Sequence, residues 1–181
     1  KAKALKFKVG GRMSNNYESP SGRTEKLIPL VRKTFGDKMV IYADSNGSYT
    51  TDEAIRIGRI MEDYKIDFYE EPVPFDWYEE TKTVADALKV PIAGGEQEPS
   101  LHTFRWLLAN DSLQIVQPDM FYFGISIGKC PDIELFSKLI ANHFSDSIDD
   151  GSQLFRSCFQ LYRILVFSSC SCFNERKDYS V

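Results

Sequence analysis

Val40-Ile41-Tyr42-Ala43-Asp44-Ser45-Asn46-Gly47 is a short apolar run of β-forming residues that ends in an acid and passes at once into an Asn-Gly turn. The arrangement returns in Phe68-Tyr69-Glu70-Glu71-Pro72, in Pro91-Ile92-Ala93-Gly94-Gly95-Glu96 and in Ile115-Val116-Gln117-Pro118-Asp119. Its acids, Asp44, Glu70, Glu96 and Asp119, follow one another at 26, 26 and 23 residues. That cadence is near one βα unit per step, because a (β/α)8 barrel spreads roughly 250 residues over eight units. In a barrel the strand ends open on one mouth, and the active site is built there. A single acid between strand and helix is most often a cap or a solvated loop residue. Four in step, each directly behind an apolar run, ask for more, and Glu is a poor N-cap. Four carboxylates aimed at one mouth suggest a metal site.

The segments around these strands fit the same plan. Ala4 to Gly10 reads as a strand on which Lys6 and Lys8 face the same way, since side chains alternate. The bland reading of those lysines is an edge strand protected by charge. Glu25 to Phe35 reads as a helix carrying Leu27, Leu30, Val31 and Phe35, with Pro29 near its start and Gly36 as its stop. Thr50-Thr51-Asp52-Glu53 fits a capping box, Thr50 as cap and Glu53 reaching back. It opens a helix with Ala54, Ile57, Ile60, Met61 and Tyr64 on one stripe. A weaker helix runs from Trp77 to Lys89 with Val84 and Leu88 inward. Ser100 caps another through Phe104, Leu107 and Leu108. The strand Leu113 to Asp119 leads to Phe123-Gly124 and a helix with Ile133, Phe136 and Ile140 on its face. Five such repeats in series imply a parallel sheet curling towards a barrel. From Ser145 the pattern is lost, which divides the chain into a barrel-like domain, residues 1–144, and a divergent tail, residues 145–181.

The 181 residues are 43% hydrophobic and 27% charged, as in an ordinary globular protein with a real core. A net charge of −4 without a basic block argues against nucleic acid. No apolar run approaches the ~18 residues of a membrane span, and no signal peptide or initiator Met opens the chain. The cysteines, Cys130, Cys158, Cys170 and Cys172, show no zinc-type pairing with His102 and His143. Reduced thiols in a cytoplasmic protein are the expectation.

Lys6-Phe7-Lys8-Val9-Gly10, Ala43-Asp44-Ser45-Asn46-Gly47, Tyr69-Glu70-Glu71-Pro72, Gly94-Gly95-Glu96 and Val116-Gln117-Pro118-Asp119 together resemble the enolase superfamily, in its mandelate racemase and sugar-acid dehydratase branch. The resemblance covers roughly residues 1–124. It implies a modified (β/α)7β barrel holding one Mg2+, of which this chain carries about five parallel βα units, an incomplete TIM-type barrel of α/β class. It makes Asp44, Glu70 and Glu96 the metal ligands, Lys8 the base with Lys6 its neighbour, and Asp119 the residue that orients a His. Asn46 and Glu71 are expected to orient the ligands from behind.

The chemistry suits those residue types. Removing a proton α to a carboxylate puts a second charge on the substrate. Mg2+ takes hard oxygen ligands, keeps sites open and stabilises an ene-diolate as a Lewis acid. A lysine base near neutral pH must be lowered from about 10.4, and a second lysine and a nearby ion both push that way. The resemblance therefore implies acid-sugar dehydration, a carbon–oxygen lyase reaction on a small-molecule carboxylate, with racemisation or cycloisomerisation as alternatives in the same superfamily. From other classes, a truncated metal-binding remnant without turnover and an unrelated Mg2+-dependent aldolase barrel remain open, as does a homo-oligomeric full-length form. The superfamily's N-terminal capping domain and first barrel strand have no counterpart here, Ile125 stands where a second glycine is usual, and slow turnover is the expectation. His143 lies at a helix end, out of reach of Asp119, and His102 reads as structural.

Overall fold

Strand and helix alternate along the chain in the cadence of the acids. The computed structural model describes residues 2–119 and Tyr122. The predicted helix over Ile133, Phe136 and Ile140, the four cysteines, His143 and the tail 145–181 lie outside the described residues. Within them the order is β1 (Ala4–Lys8), α1 (Arg23–Phe35), β2 (Val40–Asp44), α2 (Thr51–Asp63), β3 (Phe68–Glu70), α3 (Tyr78–Ala87), β4 (Ile92–Gly94), α4 (Leu101–Ala109) and β5 (Ile115–Val116). The five strands form one parallel sheet in sequential order, β1-β2-β3-β4-β5, as a βα series with short connections dictates. Among the described residues no helix is long and apolar enough to cross a membrane.

The sheet buries both faces, as parallel sheets do. Against the helices lie Phe7, Ile41, Ala43, Tyr69 and Ile92, packed with Ile28 and Val31 of α1, Ala54, Ile57 and Met61 of α2, Val84 of α3 and Leu107 of α4. The opposite face carries a smaller cluster of Tyr42, Phe68, Ala93 and Ile115. There the Tyr42 and Phe68 rings stack at 4.2 Å between centroids. Register makes this face a set of rows. Lys6, Tyr42 and Phe68 are lateral neighbours, and in the next row so are Lys8, Asp44, Glu70, Ala93 and Ile115.

Several local expectations are corrected. α1 begins at Arg23, so Pro29 falls inside the helix. Its inner face is Thr24, Ile28, Val31 and Arg32. Leu30, about 200° round from Ile28, is 57% exposed, and Phe35, in phase with Ile28 but at the helix end, is also exposed. The capping box is absent: Thr50 bonds instead to Asn16, which accepts from the Thr50 backbone N–H at 2.8 Å and donates to its hydroxyl at 3.0 Å. Glu53 is taken by Arg56 at 2.7 and 2.8 Å. α2 ends at Asp63, which leaves Tyr64 exposed rather than in the stripe. α3 spans Tyr78–Ala87, two residues short of the predicted end, with Val84 buried and Leu88 partly so. The Ser100 cap is present, its hydroxyl accepting from the His102 backbone N–H at 3.2 Å.

The end of the sheet where strands begin is tied by one guanidinium. Arg32 of α1 is nearly buried and donates to the carbonyls of Tyr64 at 3.1 Å, Gly36 at 2.9 Å, Met39 at 2.8 Å and Lys65. It pairs with Asp67 at 3.0 Å, and the same Asp67 oxygen accepts from the Ile41 N–H at 2.7 Å. One side chain thus closes the ends of two helices and the entries to β2 and β3.

Glu62 performs a related task for α3 and β4. It accepts from the backbone N–H groups of Lys89 and Val90 and pairs with Arg59 at 3.0 Å. Burial opposes its charge, yet those donors outweigh burial and hold the carboxyl below its ordinary 4.5. A depressed folded value stabilises above the unfolded value and loses that contribution as pH falls through the folded one. In melting temperatures measured from pH 7 down to 2, the acid limb of Glu62→Gln should therefore be flatter than that of the parent. Parallel limbs would remove this assignment.

Asn46-Gly47, the turn signal after β2, has φ of 42° and 65° at its two residues. A Cβ on Gly47 would stand 2.9 Å from the Pro74 backbone. Gly47→Ala should cost roughly 1–3 kcal/mol through left-handed strain and that clash, read from the urea midpoint. A shift below experimental error would show that the turn can move.

Candidate active site

Of the sequence-predicted residues, Lys6, Lys8, Asp44, Asn46, Glu70 and Glu71 meet where β1, β2 and β3 end, and Glu96 joins them through Asn46. Lys6 and Lys8 do share a face, and both reach acids on neighbouring strands. The Lys6 ammonium lies 3.1 and 3.2 Å from the two carboxylate oxygens of Glu70 and 3.4 Å from Asp44 Oδ2. The Lys8 ammonium lies 3.4 Å from Asp44 Oδ1 and also donates to the Asn46 side-chain oxygen. Asn46 joins the remaining acids: its backbone N–H donates to Asp44 Oδ1 at 3.0 Å, and its amide nitrogen to Glu71 and Glu96, each at 3.2 Å. Asn46, expected to orient the ligands from behind, thus contacts Asp44, Glu71 and Glu96.

Local backbone explains why a turn residue can do this. Asn tolerates the left-handed region better than other non-Gly residues, and Asn46 occupies it. Glu71 occupies it too, at φ 43°, where a Glu is strained. In a continued strand Glu71 would point to the face opposite Glu70. Here both are buried, at 5% and 1% exposure, and Glu71 reaches Asn46. Ser45 holds the bend, its hydroxyl donating to the carbonyl of Glu71 at 2.6 Å. Gly95, at φ 99°, does the corresponding work before Glu96, where a Cβ would meet the Phe104 ring at 2.5 Å.

The electrostatics are those of crowded acids. Burial pushes the Glu70 carboxyl up, and Asp44 adds to that, while the Lys6 ammonium and a hydrogen bond from Gln117 oppose it. Burial pushes Glu71 up to about 7, reinforced by Glu96, Asp44 and Glu70 against the Asn46 hydrogen bond. Lys6 runs opposite to what a lowered lysine needs. Burial disfavours its charge, but Glu70 and Asp44 outweigh burial and hold the ammonium well above its ordinary value.

Three features were not legible. Gln117, inside the quoted Val116-Gln117-Pro118-Asp119, supports Glu70; two residues beyond Ile115, it falls on the inward parity, a signal that could have found it. Ser45 sat unassigned between Asp44 and Asn46. Glu98 had no signal at all. It is buried, and neither Tyr78 nor Thr103, its polar neighbours, completes a hydrogen bond of ordinary geometry to its carboxylate. It lines, with Glu71, Thr81, Gly94 and Gly95, a cavity of about 20 Å³. Asp119 stands beyond β5, its carboxylate accepting from the Tyr122 N–H at 3.4 Å. His102 lies on α4 with its side chain exposed, and His143 is outside the described residues.

Among the described residues no three His, Cys, Asp or Glu side chains are gathered as a ready-made metal cage. The donor set is nevertheless all carboxylate oxygen, the chemistry hard cations take, with Asp44 and Glu70 against two ammonium groups and Glu71 and Glu96 joined to them through Asn46. The residues fit a divalent cation in donor type, with an ammonium now between two of them.

Comparison with known proteins gives the family. Residues 1–127 match the enolase C-terminal domain-like family. The chain is similar to an arabinonate dehydratase of Saccharolobus solfataricus, 31% identical over 123 residues, covering 67% of this chain and 31% of that protein. Among solved structures it resembles a 3,6-anhydro-D-galactonate cycloisomerase from Zobellia galactanivorans, with a TM-score of 0.65, 30% identity, and 78% of this chain and 37% of the other covered. It also resembles an enolase from Bradyrhizobium in complex with magnesium and mandelic acid, with a TM-score of 0.57, 26% identity, and 65% and 31% covered. The chain spans about a quarter to a third of the length of the curated relatives it matches. Its relatives are acid-sugar dehydratases, racemases and cycloisomerases whose structures are TIM-type barrels. With its parallel βα series, its Lys-x-Lys strand and its acids at successive strand ends, the chain belongs to the enolase superfamily, as a protein of the mandelate racemase and muconate lactonizing type.

Proposed function

We propose that residues 1–144 serve Mg2+-dependent abstraction of the proton α to a carboxylate, in an acid-sugar dehydratase. The observation that carries the reading is the meeting of Lys6 and Lys8 with Asp44, Glu70 and Asn46, and through Asn46 with Glu96, at the ends of successive parallel strands. Asp44, Glu70 and Glu96 would hold the ion. Bound there, Mg2+ supplies Lewis-acid stabilisation of negative charge on a substrate carboxylate. Lys8 would take the α proton at its Nζ, Lys6 adds positive charge beside it, and Asn46 and Glu71 orient the acids. Asp119 would orient a proton-transfer partner. The dehydratase relatives support loss of water from the β position; the cycloisomerase relatives favour a second reading, closure or opening of a ring after the same abstraction.

The metal is testable by linkage. A ligand that binds only the folded chain raises its melting temperature by mass action. Mg2+ should raise that of the parent, and Glu96→Gln or Glu70→Gln should remove most of the increase. An undiminished response in both variants would end the ligand assignment.

A further inference from the structure

Lys6 engages the same oxygens that the proposed function gives to the ion. Its ammonium takes both oxygens of Glu70 and Oδ2 of Asp44, while Asp44 Oδ1 is taken by Lys8 and by the Asn46 N–H. Both carboxylates are thus engaged at every oxygen. Glu70 is 1% exposed, and a buried carboxylate without a positive partner is strongly destabilising. To stay ionised Glu70 therefore needs a cation beside it, and an ammonium lying between Glu70 and Asp44 competes with a metal ion for the same oxygens.

We infer that Lys6 is an exchangeable internal counter-cation, which holds Asp44 and Glu70 in place and is displaced from them when a divalent cation binds. The inference rests on the metal reading above and adds a role distinct from proton transfer. Lys6 has somewhere to go. Its side chain is 42% exposed, and Nζ lies 5.9 Å from the Tyr42 ring centroid, so it can leave the carboxylates for solvent or the ring face without unpacking the core. The displaced charge then stands beside the ion-filled site, where it also disfavours the ion. Lys6 thereby sets how tightly the metal is held, and reciprocally the metal sets where Lys6 points.

The test is a Mg2+ titration of the full chain, followed by thermal melting and by calorimetry, for the parent, Lys6→Met and Lys8→Met. In EDTA, Lys6→Met should melt well below the parent, because Glu70 has lost its partner. Saturating Mg2+ should close that gap, and the Mg2+ dissociation constant of Lys6→Met should be tighter by about tenfold, within the usual 5–150-fold span of coupling between two sites. Lys8→Met removes the same charge but frees only one oxygen of Asp44, so its change should be clearly smaller. Should Lys6→Met not fold in EDTA, Lys6→Gln supplies the same comparison with a donor retained. A Mg2+ affinity unchanged by Lys6→Met, or altered equally by Lys8→Met, overturns the exchange while leaving the metal site standing. No Mg2+ response in the parent overturns the metal reading and the exchange together.

Discussion

Arg32→Ala is expected to cost about 2–4 kcal/mol of stability, because several part-buried carbonyls lose a charged donor at roughly 1–3 kcal/mol each with partial relief by water, while the half-exposed Asp67 adds little. Four carbonyls, from Gly36, Met39, Tyr64 and Lys65, and the Asp67 carboxylate would lose their donor at once. These groups close α1 and α2 and open β2 and β3, so the loss should appear as a lower urea midpoint with a nearly unchanged slope. Arg32→Lys should recover little, since an ammonium cannot fork to several acceptors as a guanidinium does. A cost below about 1 kcal/mol would place Arg32 among ordinary surface ion pairs. The network lies at the end of the sheet opposite the acids, where barrel residues serve stability rather than chemistry.

Lys8→Ala should lower the rate of α-proton exchange with solvent by about 10²- to 10⁴-fold, the usual contribution of a positioned general base. The assay is deuterium incorporation at the α carbon of sugar acids in excess Mg2+, followed by mass spectrometry. Lys8 is the choice over Lys6 because it ends β1 and leans on one oxygen of Asp44 and on Asn46 at the strand end, whereas Lys6 stands two residues further back along the strand. Lys6→Ala should therefore impair exchange less. Equal losses in the two variants, or retained exchange in Lys8→Ala, would dismiss Lys8 as the base.

What could be read without coordinates was whatever repeats. The alternation of apolar runs and amphipathic segments fixes the parallel sheet, because each βα step is a local pattern with one dominant topology. The acids at 44, 70 and 96 were found because they punctuate that pattern, and Lys6 and Lys8 because strand parity puts them on one face. The failures are where a long-range partner overrides a local signal. Thr50 has the right neighbour for a capping box, but Asn16, 34 residues away, takes it. Leu30 is apolar and helical, yet nothing among the described core residues covers its side of α1. Arg32 drew no reading in the sequence, and only the fold brings it five acceptors. Asn46 was read as a turn residue that orients ligands, but its bridge to Glu71 and Glu96 depends on left-handed backbone at both 46 and 71.

The lateral row Lys8, Asp44, Glu70, Ala93 and Ile115 bears on which lengths of this chain are free to change. Each of these residues sits on its own strand, and core and site are interleaved along that strand with a period of two. Deleting one residue inside β2 would turn Asp44 towards the helices and Ala43 towards the acids in a single event. Lineages of this fold should accordingly accumulate insertions and deletions between elements, as in residues 11–22, and almost none inside β1, β2 or β3. The strands act as a ruler whose marks cannot be respaced, while the loops between them absorb nearly all the variation in length.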